Sequence, residues 1–105
     1  MNKVVLIGRL VYDVDLRYTD KHNKPVANFK LSIRRPVHFG GLVYIECKMW
    51  GHGAEVLARR AAKGDFVAVS GWIDISYNQA NGKKYKNVDV IADSFKLLGA
   101  NNESE

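Results

Sequence analysis

The fold this chain predicts is a small all-β barrel of five strands, with one short helix between the third and fourth. Three observations carry it. Short apolar runs alternate with a period of two, one run changes to a helical period, and turn formers separate them.

Val4 to Tyr12 is β-branched and apolar on both faces around Gly8, which predicts a strand covered on both sides. Arg17 to Pro25 is polar, with Asp20, Asn23 and Pro25 as turn formers. Val26 to Arg34 alternates: Ala27, Phe29, Leu31 and Ile33 take one face, and Asn28, Lys30, Ser32 and Arg34 the other. Pro36 and Gly40-Gly41 mark a short connection. Leu42 to Trp50 alternates again, with Val43, Ile45, Cys47 and Met49 opposite Tyr44, Glu46, Lys48 and Trp50. Gly53 to Lys63 suits a helix: Glu55 lies in its first turn, Arg59, Arg60 and Lys63 lie towards its end, and Gly64 is placed as its cap. Phe66 to Tyr77 returns to strand, Asn78 to Lys84 is a hairpin loop around Asn81-Gly82, and Tyr85 to Leu98 is the last strand.

Three strands, a helix and two strands is the order of an OB-fold, although an α+β sheet domain also suits it. Residues 1–99 form one domain and 100–105 a short polar tail. The doubly apolar first strand points to a subunit interface, because the outer face of a lone small barrel should be wetter.

The 105 residues carry a net charge of +5. Two of the acids, Glu103 and Glu105, lie in the last five residues, so the rest of the chain carries +7. A basic small domain suits an anionic partner such as nucleic acid. The single cysteine, Cys47, sits in an apolar phase and reads as core; it fits a reducing compartment. The N-terminus lacks the order of a signal peptide, and no apolar run is long enough to span a membrane. No phosphate loop, metal-spaced Cys or His, or nucleophile elbow is present. The chain therefore reads as a non-enzymatic binder without cofactor or metal. Asp13 with Asp15, and Asp89 with Asp93, read as strand-end and solvated acids.

Single-stranded nucleic acid offers exposed base faces and one charge per nucleotide. Binding it without regard to sequence needs accessible aromatics interleaved with cations. Tyr44, Lys48 and Trp50 supply that pattern on one strand face, and Lys30 and Arg34 are in phase to join it. Arg34, Arg35 and Phe39 in the next connection either clamp a phosphate and a base or form a solvated loop. The hairpin is bracketed by Tyr77 and Tyr85 and carries Lys83, Lys84 and Lys86, which suits folding over a strand. Lys63 either reaches the same groove or complements the helix dipole. Trp72 is either a stacking residue or part of a subunit contact.

Several motifs run in order along almost the whole chain. They are Met1-Asn2-Lys3-Val4-Val5-Leu6-Ile7-Gly8-Arg9-Leu10, Asp15-Leu16-Arg17-Tyr18-Thr19, Val26-Ala27-Asn28-Phe29, Trp50-Gly51, Ala54-Glu55-Val56, Lys63-Gly64-Asp65, and Asn81-Gly82-Lys83-Lys84 followed by Ala92-Asp93. Together they resemble the bacterial single-stranded DNA-binding protein family. The resemblance implies an OB-fold, binding of single-stranded DNA in replication, recombination or repair, and a homo-oligomer, a tetramer or alternatively a dimer, in the bacterial cytoplasm at the nucleoid. It also implies stacking on Trp50, Tyr44 and Tyr77, a cation at Lys63, and a weaker one at His52.

Three departures accompany it. The connection holding Phe39 is short, and Asp74-Ile75-Ser76 stands where the family carries Thr-Arg, which implies a weakened or rerouted DNA path. The family's long tail with an acidic, hydrophobic tip does not follow in this sequence, which fits either a truncated form or a tailless paralogue and leaves the usual tail-mediated partners in doubt. A short form also resembles primosomal replication protein B, a dimeric relative acting in replication restart. An OB-fold adaptor with no nucleic-acid role is the remaining alternative.

Overall fold

The structure, a computed structural model, describes residues 1–100. The strands are β1 (Val4–Leu10), β2 (Asp15–Tyr18), β3 (Pro25–Arg34), β4 (Leu42–Trp50), β5 (Asp65–Ala80) and β6 (Lys83–Ala100). The helix α1 (His52–Arg60) lies between β4 and β5. Strands β1-β5-β6-β4-β3 follow one another around the sheet, and β1 pairs back onto β3, closing a five-stranded ring. All these pairings are antiparallel except β4 with β6. This is the expected OB-type barrel.

The helix follows the fourth strand rather than the third because Asp15–Tyr18 forms a strand of its own. β2 continues along β3 where β1 stops: Leu10 faces Leu31, and Asp15 faces Asn28. β1 therefore ends at Leu10, two residues before the expected limit. The polar turn is correspondingly shorter. It is closed by the Thr19 amide donating to the Lys24 carbonyl and the Lys24 amide donating to Thr19 Oγ1.

The helix also ends earlier than its charge pattern predicts. Ala61, not Gly64, is its C-cap, donating its amide to the Leu57 carbonyl. The amide of Gly64 donates to the Leu10 carbonyl instead, tying this turn to β1. The hairpin loop shrinks to Asn81-Gly82, both at positive φ, and residues on either side continue the ladder. β6 reaches Ala100, so the rest of the expected tail lies outside the described residues.

The inward phase of each strand fills the barrel. Phe29, Leu31, Cys47, Val67, Val69 and Val90 are buried, and Leu57 and Ala54 of α1 close one end. Burial pushes the Cys47 thiol up to about 12, with the Glu46 and Asp89 charges adding to it, so it stays protonated in the core. Burial fades at the far end, where Val43, Ile73, Ile75 and Val88 share the inward phase but lie beyond the packed section.

The Tyr18 hydroxyl ties β2 to the helix, donating to Glu55 Oε2 at 2.6 Å. That donation is the main cause holding the Glu55 carboxyl below its usual range, and His52 Nδ1, 3.5 Å from Glu55 Oε1, adds to it. A carboxyl with a lowered folded pKa stabilises the fold above its unfolded value, about 4.3 for glutamate, and loses that contribution as pH falls through the folded value. The melting temperature of native protein should therefore exceed that of Tyr18→Phe near neutrality, with the gap closing in acid. A gap independent of pH would show that the contact does not act through Glu55.

Candidate nucleic-acid interface

Residues directly opposed across a ladder project to the same side of the sheet. The register therefore assembles the outward residues into rows running across the strands. Trp50 lies beside Val26 and Arg17. One step along β4, Lys48 is flanked by Asn28 and Asp15 on one side and by Ile91 and Trp72 on the other. The next row reads Lys30, Glu46, Asp89, Asp74 from β3 to β5. Tyr44 follows, beside Ser32 and then Arg9, and Arg34 with Leu42 ends the face. Trp50 is 46 % exposed and Tyr44 56 %. Along the strand these aromatics are six residues, or about 20 Å, apart.

Trp50, Tyr44, Lys48, Lys30 and Arg34 thus share one face, as their phases predict. Lys30 is not free, however: its Nζ lies 3.1 Å from Glu46 Oε2. The Tyr12 hydroxyl donates to Glu46 Oε1 at 3.4 Å. Burial first, then the Glu46 charge, holds that hydroxyl above the usual phenol range. Arg9, in the row of Tyr44, places its guanidinium over the Phe66 ring at 4.9 Å.

Arg35 and Phe39 stand at the end of this face, on the loop between β3 and β4. The Arg35 amide donates to the Gly41 carbonyl, and the Phe39 amide donates to the Pro36 carbonyl. Phe39 is exposed, its ring centroid 4.8 Å from that of His38. It does not tuck onto the barrel.

The hairpin separates its two tyrosines. Tyr77 opposes Lys86 and shares its side with Lys84, whereas Tyr85 opposes Asn78 and shares its side with Lys83. The Tyr85 side continues into the row of Trp72 and Lys48; the Tyr77 side continues the inward phase of Ile73 and Ile75. Tyr77, Asn78, Gln79 and Lys84 line an open cavity of about 350 Å³. His52 opens α1 two residues after Trp50, and Lys63 follows the end of the helix. The Lys63 amide donates to Asp13 Oδ1, and His52 faces Glu55.

The single-strand binding protein family model matches residues 1–98. The chain belongs to that family. It is 37 % identical over 103 residues to the single-stranded DNA-binding protein of Clostridium perfringens, covering 97 % of this chain and 69 % of that protein. Single-stranded DNA-binding protein 4 of Streptococcus agalactiae is 39 % identical over 105 residues, covering 93 % of this chain and 74 % of the relative. Single-stranded DNA-binding protein 1 of Lactococcus lactis is 35 % identical over 106 residues, covering 96 % and 70 %.

Within this family member, the structure adds Trp72, Tyr12, Arg9 and Arg17 to the face. The phase of Trp72, opposite Val67 and Val69, already signalled its outward side; Arg9 and Arg17 required the long-range register, and Tyr12 its hydrogen bond to Glu46. Among the described residues no three His, Cys, Asp or Glu are grouped to hold a metal ion, and no helix is long and apolar enough to cross a membrane.

Proposed function

We propose that residues 1–99 bind single-stranded DNA without strong sequence preference, serving replication, recombination or repair in the bacterial cytoplasm at the nucleoid. The observation that carries this is the outer face of β4, where exposed Trp50 and Tyr44 stand on either side of Lys48 in a member of this family. Trp50 and Tyr44 stack bases, and Lys48, Arg34 and Arg35 pair phosphates. Phe39 and the hairpin cations Lys83, Lys84 and Lys86 extend the contact, and Tyr77 and Tyr85 engage the strand from opposite sides of the arm. Lys63 and His52 contribute only where DNA wraps past the helix end.

A homo-oligomer fits the same reading, a tetramer in preference to a dimer. Val5 and Ile7 of β1 are 68 % and 57 % exposed on the outer side of the barrel, and a second copy would cover them.

Titration with oligo-dT of several lengths tests the proposal. Fluorescence of Trp50 and Trp72 should quench, and affinity should fall steeply with salt, by about 0.7 in log–log slope for each phosphate paired. A solution mass measured alongside gives the number of copies. Absence of quenching at low salt would favour an adaptor role.

A further inference from the structure

We propose that Glu46 is a built-in competitor for DNA phosphate: it occupies Lys30 and Tyr12 in the free protein, and a bound strand displaces it. The inference rests on the reading of the β4 face as the DNA site.

The two carboxylate oxygens are engaged separately, one by the Lys30 ammonium at 3.1 Å and the other by the Tyr12 hydroxyl at 3.4 Å. A phosphodiester also presents two unbridged oxygens that accept from an ammonium and a hydroxyl, so it satisfies the same two donors. The pair lies between Trp50 and Tyr44, two residues along β4 from Tyr44 and four from Trp50. A strand stacked on both aromatics carries its backbone across this row. The side chains of Lys30 and Glu46 are 33 % and 48 % exposed, so phosphate can reach them. Partly exposed ion pairs of this kind are weak, and displacement is therefore feasible.

The surroundings close the alternative path. Asp89 adjoins Glu46 on β6, and Asp74 opposes Asp89 on β5. A backbone shifted towards β6 meets carboxylates, while one passing on the β3 side meets Lys30. Glu46 thus lowers the affinity of the face and removes one cation from its salt response.

Oligo-dT binding by Glu46→Gln, Lys30→Met and the double variant tests this, with Trp50→Ala measured beside them. Glutamine keeps the shape of glutamate at an exposed position, and melting curves confirm that each variant is folded. Glu46→Gln should bind about threefold to tenfold more tightly at low salt. Its log–log salt slope should steepen by about 0.7, the increment of one further phosphate contact. Lys30→Met alone should weaken binding, because it leaves Glu46 unpaired beside the strand, and in the Glu46→Gln background it should abolish the gain.

Unchanged affinity and slope in Glu46→Gln would overturn the proposal. So would a gain that survives Lys30→Met, because it would come from general loss of negative charge. If Trp50→Ala weakens binding while Glu46→Gln has no effect, the role of Glu46 falls and the DNA face stands. If Trp50→Ala binds like the native chain, the face itself falls, and the Glu46 proposal with it.

Discussion

Trp50→Ala is expected to weaken oligo-dT binding by about 1–3 kcal/mol, the worth of one stacked base, while the barrel melts as before. Trp50 ends β4 on the outward phase, and its neighbours across the ladder are Val26 and Arg17 rather than core residues. The Gly51 amide donates to the Pro25 carbonyl, so the backbone turns into α1 independently of the indole. The loss should appear as reduced affinity at fixed salt with an unchanged salt slope, since no cation is removed. Trp72→Phe in the same titration leaves Trp50 as the sole indole and reports its stacking directly. An unfolded Trp50→Ala protein would place the indole in the core instead.

Gly71→Ala should destabilise the fold by about 2–3 kcal/mol, read as a lower urea midpoint. A Cβ built on Gly71 runs into the Ile91 carbonyl of the neighbouring strand, a backbone group that no side-chain rotation can move aside. The ladder is already irregular here: Ser70 faces Ser94, but Gly71 faces Ala92, leaving Asp93 as an extra residue on β6. This bulge switches the inward phase of β6 from Val88, Val90 and Ala92 to Phe95 and Leu97. Pushing the strands apart there also displaces the Trp72–Ile91–Lys48 row, so DNA binding should weaken together with stability. A native urea midpoint in Gly71→Ala would mean that the close approach is relieved at little cost.

Much of the candidate site was legible in the sequence because each strand's two faces are a local property. Tyr44, Glu46, Lys48 and Trp50 share a side simply by being two residues apart. The short β2 was obscured by the polar residues around it, since only Leu16 and Tyr18 mark its inner phase. The overlong helix arose because Ala61 and Ala62 suit a helix as well as a turn. There the Asp65 carboxylate accepts from the Ala62 amide and the Asp13 carboxylate from the Lys63 amide, satisfying backbone groups outside the helix. The pairing of Lys30 with Glu46 was illegible for a different reason: both faces were assigned, but not the register between them.

By itself the sequence determined the helix, the five main strands, the Asn81-Gly82 turn, and the inward and outward residues of β3, β4 and β5, because these follow from spacing and backbone preference within a few residues. Only the tertiary structure decided which outward faces become neighbours. The parallel seating of β6 on β4 puts Asp89 beside Glu46, the long hairpin register separates Tyr77 from Tyr85, and closure of β1 onto β3 brings Arg9 beside Tyr44's row. Such contacts join residues distant along the chain, and their alignment is set by filling the whole barrel at once.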